Sequence, residues 1–204
     1  MKTDNAMAAR STSKLVPALV LLVAILPVAA SVTLYLIDWR PSSTVNHGEL
    51  FTPARALVDN SMHDLEGKAV HFGDLHGQWA MVYFGSSSCP EACMQNLFRM
   101  RQIHIAQGRE SERVERVFIT TDAASAGLEA KLADYAGMHI WTADADALSK
   151  IADNFGTDPQ QLAQQHSIYL VDPMGNLIMR YAPDTDPAGM RKDMERLLKY
   201  SGAG

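Results

Sequence analysis

An α/β domain with a mixed sheet, carried behind one N-terminal transmembrane helix, is the fold class this 204-residue sequence predicts. Three observations predict it. Residues 15–37 run for 23 positions without a charge. Short apolar runs bounded by glycine alternate with stretches of helical periodicity, and two late β-type runs flank an Asp-Pro-Met-Gly turn at residues 172–175. The first observation gives a bilayer-spanning segment; the other two place crossover connections and an antiparallel hairpin in a single sheet.

Taken in order, residues 1–14 carry Lys2, Arg10 and Lys14 against Asp4. Residues 15–37 would rise about 34 Å as a helix, against a hydrocarbon core of about 30 Å. A cleaved signal peptide ending near Ala30 is the alternative, but apolar character continues through Ile37, beyond an ordinary apolar signal core of about 7–15 residues. Arg40 stands almost alone after the span, so the positive-inside rule puts residues 1–14 in the cytoplasm and exports the rest. Residues 38–54, rich in Pro, Ser, Thr and Gly, read as a linker, and 55–204 as the folded domain.

Within that domain, 79–84 and 114–121 are compact apolar runs typical of buried strands, and 167–171 with 176–181 form the hairpin. Helical patterns cover 91–107, 125–135, 145–155 and 187–200; in the last, Met190, Met194, Leu197 and Leu198 share a face.

Composition narrows the function. A hydrophobic fraction of 47% is too high for a disordered chain, and two cysteines cannot staple a disulfide scaffold. A net charge of −5 supplies no general basic surface for nucleic acid. The two cysteines are not scattered. Gly85-Ser-Ser-Ser-Cys89-Pro-Glu-Ala-Cys93 leaves a buried strand and opens a helix, with Pro90 suited to the first helical position and Cys89 near the N-cap. The positive end of the helix stabilises a Cys89 thiolate, with Glu91 opposing it, and Cys93 falls one turn on, within reach for a disulfide or joint metal ligation. Closing so short a loop stabilises a fold little, so redox or metal chemistry is favoured over a structural bridge.

The stretch from Leu65-Glu-Gly-Lys68 through Phe72-Gly-Asp-Leu-His-Gly-Gln-Trp79, Tyr83-Phe-Gly85 and Ser88-Cys-Pro-Glu-Ala-Cys93, with His166-Ser and Tyr169-Leu-Val-Asp-Pro-Met-Gly175 far downstream, resembles the Sco/SenC/PrrC family. The resemblance implies a thioredoxin-like fold with one N-terminal transmembrane helix, single-pass in a bacterial inner membrane with the C-terminal domain periplasmic. It implies a role in cytochrome c oxidase assembly, with oxidase subunit II or other copper and thiol assembly factors as partners. It also implies a copper site made by Cys89, Cys93 and His166. Two thiolates and an imidazole are a soft set suited to Cu(I), and the thiols must be reduced before they bind it. The alternative is a membrane-anchored thiol:disulfide oxidoreductase of the TlpA or ResA kind, in which Cys89 attacks a partner disulfide and Cys93 resolves it without a metal.

The sequence departs from the family pattern in three places. Gln164 stands where the family's histidine aligns, which places His166 two residues nearer the Tyr-Leu pair. Met94 replaces a proline, and the loop after the second strand is shortened to Asp122-Ala-Ala-Ser125. If residue 166 were on a strand, that offset would move the ring by about 6–7 Å. Asp122 reads as a cap for the helix near Ser125, and Asp144 with Asp146 as a helix N-cap rather than a calcium loop. His63, His71 and His76 match no helical ligand spacing and read as loop or edge-strand residues. Among the methionines, only Met94 is placed to contribute softly beside the cysteines.

Overall fold

The computed structural model describes residues 15–37, 46–58, 60–123 and 127–201, and the chain divides into two compact units, Met1–Val45 and Asn46–Gly204. In the first unit α1 (Leu15–Leu36) is one helix with Pro27 inside it, long and apolar enough to cross a membrane. Side chains 16–37 are all exposed, and a helix that is apolar all round belongs either in a core or in a bilayer. Thr33 keeps its hydroxyl internal by donating to the Ala29 carbonyl at 2.8 Å. Residues 1–14 and 38–45, which carry the charge asymmetry and most of the expected linker, lie outside the described residues, as do Asp59, 124–126 and 202–204.

The second unit is built on one eight-stranded sheet. Its order is β1 (Glu49–Ala56), β8 (Asn176–Tyr181), β7 (Ile168–Val171), β4 (Trp79–Gly85), β5 (Val114–Thr120), β6 (Met138–Thr142), β2 (Met62–Asp64) and β3 (Ala69–Val70). The pairs β4–β5 and β5–β6 are parallel and the rest antiparallel, so the sheet is mixed, as expected. Helix α2 (Glu91–Ala106) carries the chain from β4 to β5, and α3 (Leu128–Lys131) lies in the β5–β6 connection. Helices α4 (Ala145–Phe155) and α5 (Pro159–Gln164) precede β7, and α6 (Pro187–Tyr200) follows β8. Asp144 caps α4 by accepting from the Ala147 amide at 2.8 Å, as its position implied.

Side-chain alternation along the central strand builds two cores. Ala80, Val82 and Phe84 face one way, joining Val117, Ile119, Tyr169, Ile151 and Phe155 under α4 and α5. Trp79, Met81 and Tyr83 face the other way, joining Phe118, Leu97, Met100, Met190, Met194 and both cysteines under α2 and α6.

The structure differs from the sequence expectation at the margins. The expected linker ends early, because β1 pairs with β8 from Glu49; its polar and proline-containing sequence suits an edge strand whose register shifts between Leu50 and Arg55, around Pro53. Strand β6 and helix α5 were not anticipated: MHIWT alternates between intermediate and exposed positions over most of its length, and a six-residue helix is too short for a periodic signal. The helix expected over 125–135 is described only as α3 and a 3-10 turn at Ala133–Tyr135.

Candidate redox and metal site

The site begins where β4 stops. Gly85 ends the strand in a tight place: a Cβ there would stand 3.1 Å from both the Phe118 and Tyr83 rings and 3.6 Å from Cys93 Sγ. A side chain would wedge these groups apart, so glycine brings the strand end against the sulfur. The following serines form a turn in which the Cys89 amide donates to the Ser86 carbonyl at 3.0 Å and the Ser88 amide to Ser86 Oγ at 3.2 Å. Glu91 is the first helical residue, where the helical pattern begins, and Pro90 is the N-cap rather than the first helical position.

Cys89 adopts a left-handed backbone with φ +37°, a conformation that costs a non-glycine residue about 1–2 kcal/mol. Two outside groups hold it there. Lys131 Nζ donates to the Ser88 carbonyl at 2.8 Å and to the Cys89 carbonyl at 2.6 Å. Asp122 accepts from the Ser87 amide at 2.6 Å. The helix start near Ser125 that Asp122 was expected to cap lies outside the described residues; the carboxylate ties the end of β5 to the cysteine loop, and the N-cap of α3 is Gly127. Cys89 and Cys93 are joined in a disulfide, with Cα atoms 5.1 Å apart and both residues buried.

His166 arrives from the other side of the sheet's central pair. Gln165 caps α5, and His166 follows it in a left-handed conformation with φ +47°, the position where helices most often place glycine or asparagine. It therefore sits at a helix-to-strand corner rather than on β7, and strand rise does not govern where its ring lies. Pairing of Tyr83 with Ile168 brings this corner beside β4. Tyr83 Oη lies 2.9 Å from His166 Nδ1, and Asn96, one turn beyond Cys93 on α2, donates from Nδ2 to the His166 carbonyl at 3.1 Å. Burial pushes the Tyr83 phenol above its ordinary pKa, against a smaller opposing effect of its hydrogen bond with Asn96, so it remains neutral.

Thus the cysteine pair and His166 are tied to common neighbours, Tyr83 and the first turns of α2, while the sulfurs are bonded to each other. Among the described residues, no three His, Cys, Asp or Glu side chains are grouped as a ready-made metal site. Met94 is partly buried against the same core as the cysteines. His63 lies in β2 while His71 and His76 flank a 3-10 turn, apart from this site. A crevice of about 810 Å³ lies elsewhere, lined by residues that include Asp64, Glu115, His139 and Trp141, and holds neither cysteine nor His166. Sequence reasoning missed Tyr83, Asn96 and Lys131. The three-residue step from Cys93 to Asn96 was a usable signal; Tyr83 lies inside the apolar run 79–84 and Lys131 inside the helical pattern 125–135, and no local pattern ties either to the cysteines.

Comparison with known proteins agrees with this architecture. A family model described as the transmembrane-like, thioredoxin-like C-terminal domain matches residues 79–201. The human mitochondrial SCO2 homolog is 29% identical over 135 residues, covering 57% of this chain and 50% of that protein, so the match spans half the length of the human protein. A putative copper-binding protein of Stutzerimonas stutzeri is 26% identical over 153 residues, covering 72% of this chain and 73% of its own length. Yeast Sco1 solved with copper bound superposes with a TM-score of 0.61 at 19% identity, over 72% of this chain and 94% of that one. Bradyrhizobium japonicum ScoI with copper bound gives 0.56 at 20% identity, over 69% and 98%. At such identities these two structures speak for the fold alone. The family model, matched over most of the domain, makes the chain a member of the transmembrane-like, thioredoxin-like family, and the curated proteins it is similar to are Sco proteins and a putative copper-binding protein.

Proposed function

We propose that this protein handles copper for cytochrome c oxidase assembly, with Cys89, Cys93 and His166 as the groups that take the metal. The observation that carries this reading is the convergence of a buried Cys89–Cys93 pair and His166 on the same two elements, β4 and α2. The donor chemistry fits: two thiolates and one imidazole form a soft set that Cu(I) prefers. The relatives' names point the same way, one a putative copper-binding protein and others Sco proteins solved with copper.

The disulfide makes redox state the gate. Opening it takes two electrons and two protons from a dithiol donor, which is itself oxidised to a disulfide, and leaves two thiols; Cu(I) then displaces the thiol protons. Delivered copper would go to the binuclear centre of oxidase subunit II, with α1 anchoring the protein in a bacterial inner membrane and the domain on the periplasmic side. A second reading, thiol exchange without metal, is favoured by one observation, the closed disulfide itself.

Titration of the reduced full-length protein in detergent with Cu(I), against a competing chelator, tests the choice. One tight site per chain, lost in Cys89→Ser, is the expected result. If the unmodified protein binds no Cu(I) but reduces a model disulfide, the exchange reading replaces the copper one.

A further inference from the structure

We propose that Lys131 is a positioning residue for the cysteine pair: by gripping the Ser88 and Cys89 carbonyls it keeps Cys89 left-handed after the disulfide opens, so that reduction leaves the two sulfurs still set for joint use. This role rests on the redox gate read above and names the group that regulates it.

Cys89 is held against its own preferences. Its φ of +37° lies in the left-handed region, and the ring of Pro90 biases the residue before it toward an extended backbone. In the oxidised pair a covalent bond ties Cys89 to α2 through Cys93, across 5.1 Å between Cα atoms. Reduction removes that bond and leaves the loop to its hydrogen bonds. On the amino side of Cys89, its amide donates to the Ser86 carbonyl at 3.0 Å, and the Ser87 amide donates to Asp122 at 2.6 Å. On the carbonyl side the grip is Lys131 Nζ, 2.6 Å from the Cys89 oxygen and 2.8 Å from that of Ser88. Swinging Cys89 to an extended backbone would separate these two carbonyls and break the shared contact.

Lys131 reaches the loop from a firm base. Leu128 and Leu132 beside it are buried in the same core as both sulfurs, and the Lys131 amide closes α3 onto the Gly127 carbonyl at 2.9 Å. Its stem therefore starts from a point fixed relative to the cysteines, and its two bonds are charge-assisted, stronger than those between neutral groups.

The sign of the effect separates positioning from charge. Without the grip the oxidised form stays bridged, while the dithiol relaxes toward the extended backbone; that relaxation favours the reduced pair and raises its reduction potential. Loss of a positive charge near the sulfurs acts the opposite way, because a cation stabilises thiolates and with them the reduced form.

The test equilibrates metal-free, full-length protein in detergent with reduced and oxidised dithiothreitol. One dithiothreitol gives two electrons and two protons to Cys89–Cys93, yielding two thiols, and becomes its own cyclic disulfide. Lys131→Met should favour the dithiol about tenfold, a rise of about 30 mV, and Lys131→Arg, which keeps donors for both carbonyls, should restore the unmodified potential. An unchanged or lowered potential in Lys131→Met overturns the proposal. A second measurement needs no variant: on reduction of the isotope-labelled, unmodified protein, the Cys89 carbon shifts should remain those of a left-handed residue, and a move to extended values overturns it equally. Reduced Lys131→Met should also bind Cu(I) about tenfold more weakly, through the smaller fraction of chains with a competent loop. If the unmodified protein binds no Cu(I) while the potential rises in Lys131→Met, the copper reading falls and the grip of Lys131 stands. If Cu(I) binds tightly and the potential does not move, the grip falls and the copper reading stands.

Discussion

The two faces of the sheet are packed by the same rule and stocked with different chemistry. Under α4 and α5 the core is aliphatic and aromatic, with Phe155 set edge-on against Phe84 at 5.0 Å and Tyr169 at 4.8 Å. Under α2 and α6 the core holds the disulfide, the phenol of Tyr83, the Asn96 amide and the methionines Met81, Met100, Met179, Met190 and Met194. The difference teaches that burial serves two ends here. On one face it supplies stability alone; on the other it also removes water from sulfur and imidazole chemistry, and each polar group there needs a partner.

That division can be broken first on the apolar face. Phe155→Ala removes the ring at the centre of its cluster and should cost about 3–5 kcal/mol. Urea unfolding measures that loss, while the reduction potential of Cys89–Cys93 should stay where it was; a shifted potential would mean the faces are coupled.

The next largest effect belongs to a buried carboxylate on the opposite face. Asp193 on α6 accepts from the His47 amide at 2.7 Å, the Gly48 amide at 3.3 Å and Tyr181 Oη at 3.5 Å, and pairs with His47 Nδ1 at 3.1 Å. Burial first, and then this carboxylate's charge, push the Tyr181 phenol well above its ordinary range. Asp193→Ala should cost about 3 kcal/mol. Hydrogen exchange should place the loss at residues 46–49 and α6, and a uniform loss across the sheet would contradict the local clamp drawn here.

Removing the disulfide sharpens the comparison from the functional side. Cys89→Ser with Cys93→Ser opens only a five-residue loop, worth about 2 kcal/mol by chain entropy. The double variant should stay folded, with the midpoint of denaturant unfolding as the measure. A cost as large as that of Phe155→Ala would make the bridge a structural staple.

The smallest effect is a pH dependence. Burial, and then the nearby Arg116 charge, hold His104 below the ordinary imidazole value of 6.5. The unfolded chain therefore takes up a proton that the folded one refuses, and stability falls as pH drops from 6.5 toward the folded value. Glu115 is held below the ordinary carboxylate value of 4.5, mainly by its hydrogen bond with His139, so its contribution is lost only at more acid pH. Melting temperatures between pH 7 and 5.5 should decline, and His104→Gln should flatten the decline.

The regular elements were legible in the sequence wherever a strong period or an apolar run marked them. α4 and α6 have the ends their patterns implied, and β4 and β5 stand at the predicted runs to within a residue. The half-exposed β6 and the edge strand β1 were not, because a strand covered on one side or interrupted by proline lacks that contrast. In the site, the cysteine pair was legible from its spacing and its strand-to-helix setting. Asp122 was read as a cap because local rules cannot see that the chain returns its carboxylate to the Ser87 amide, 35 residues away.

What the sequence determined by itself is local: a 23-residue apolar span, the order of strands and helices, and two sulfurs one turn apart. Each follows from side-chain periodicity or backbone preference over a few residues. What only the tertiary structure decided is which distant groups meet those sulfurs. His166 reaches Tyr83 across a separation of 83 residues, and Lys131 reaches the Cys89 carbonyl across 42. Such contacts depend on strand order and on two left-handed corners, at Cys89 and His166, which neither residue favours by itself and which the surrounding packing holds in place.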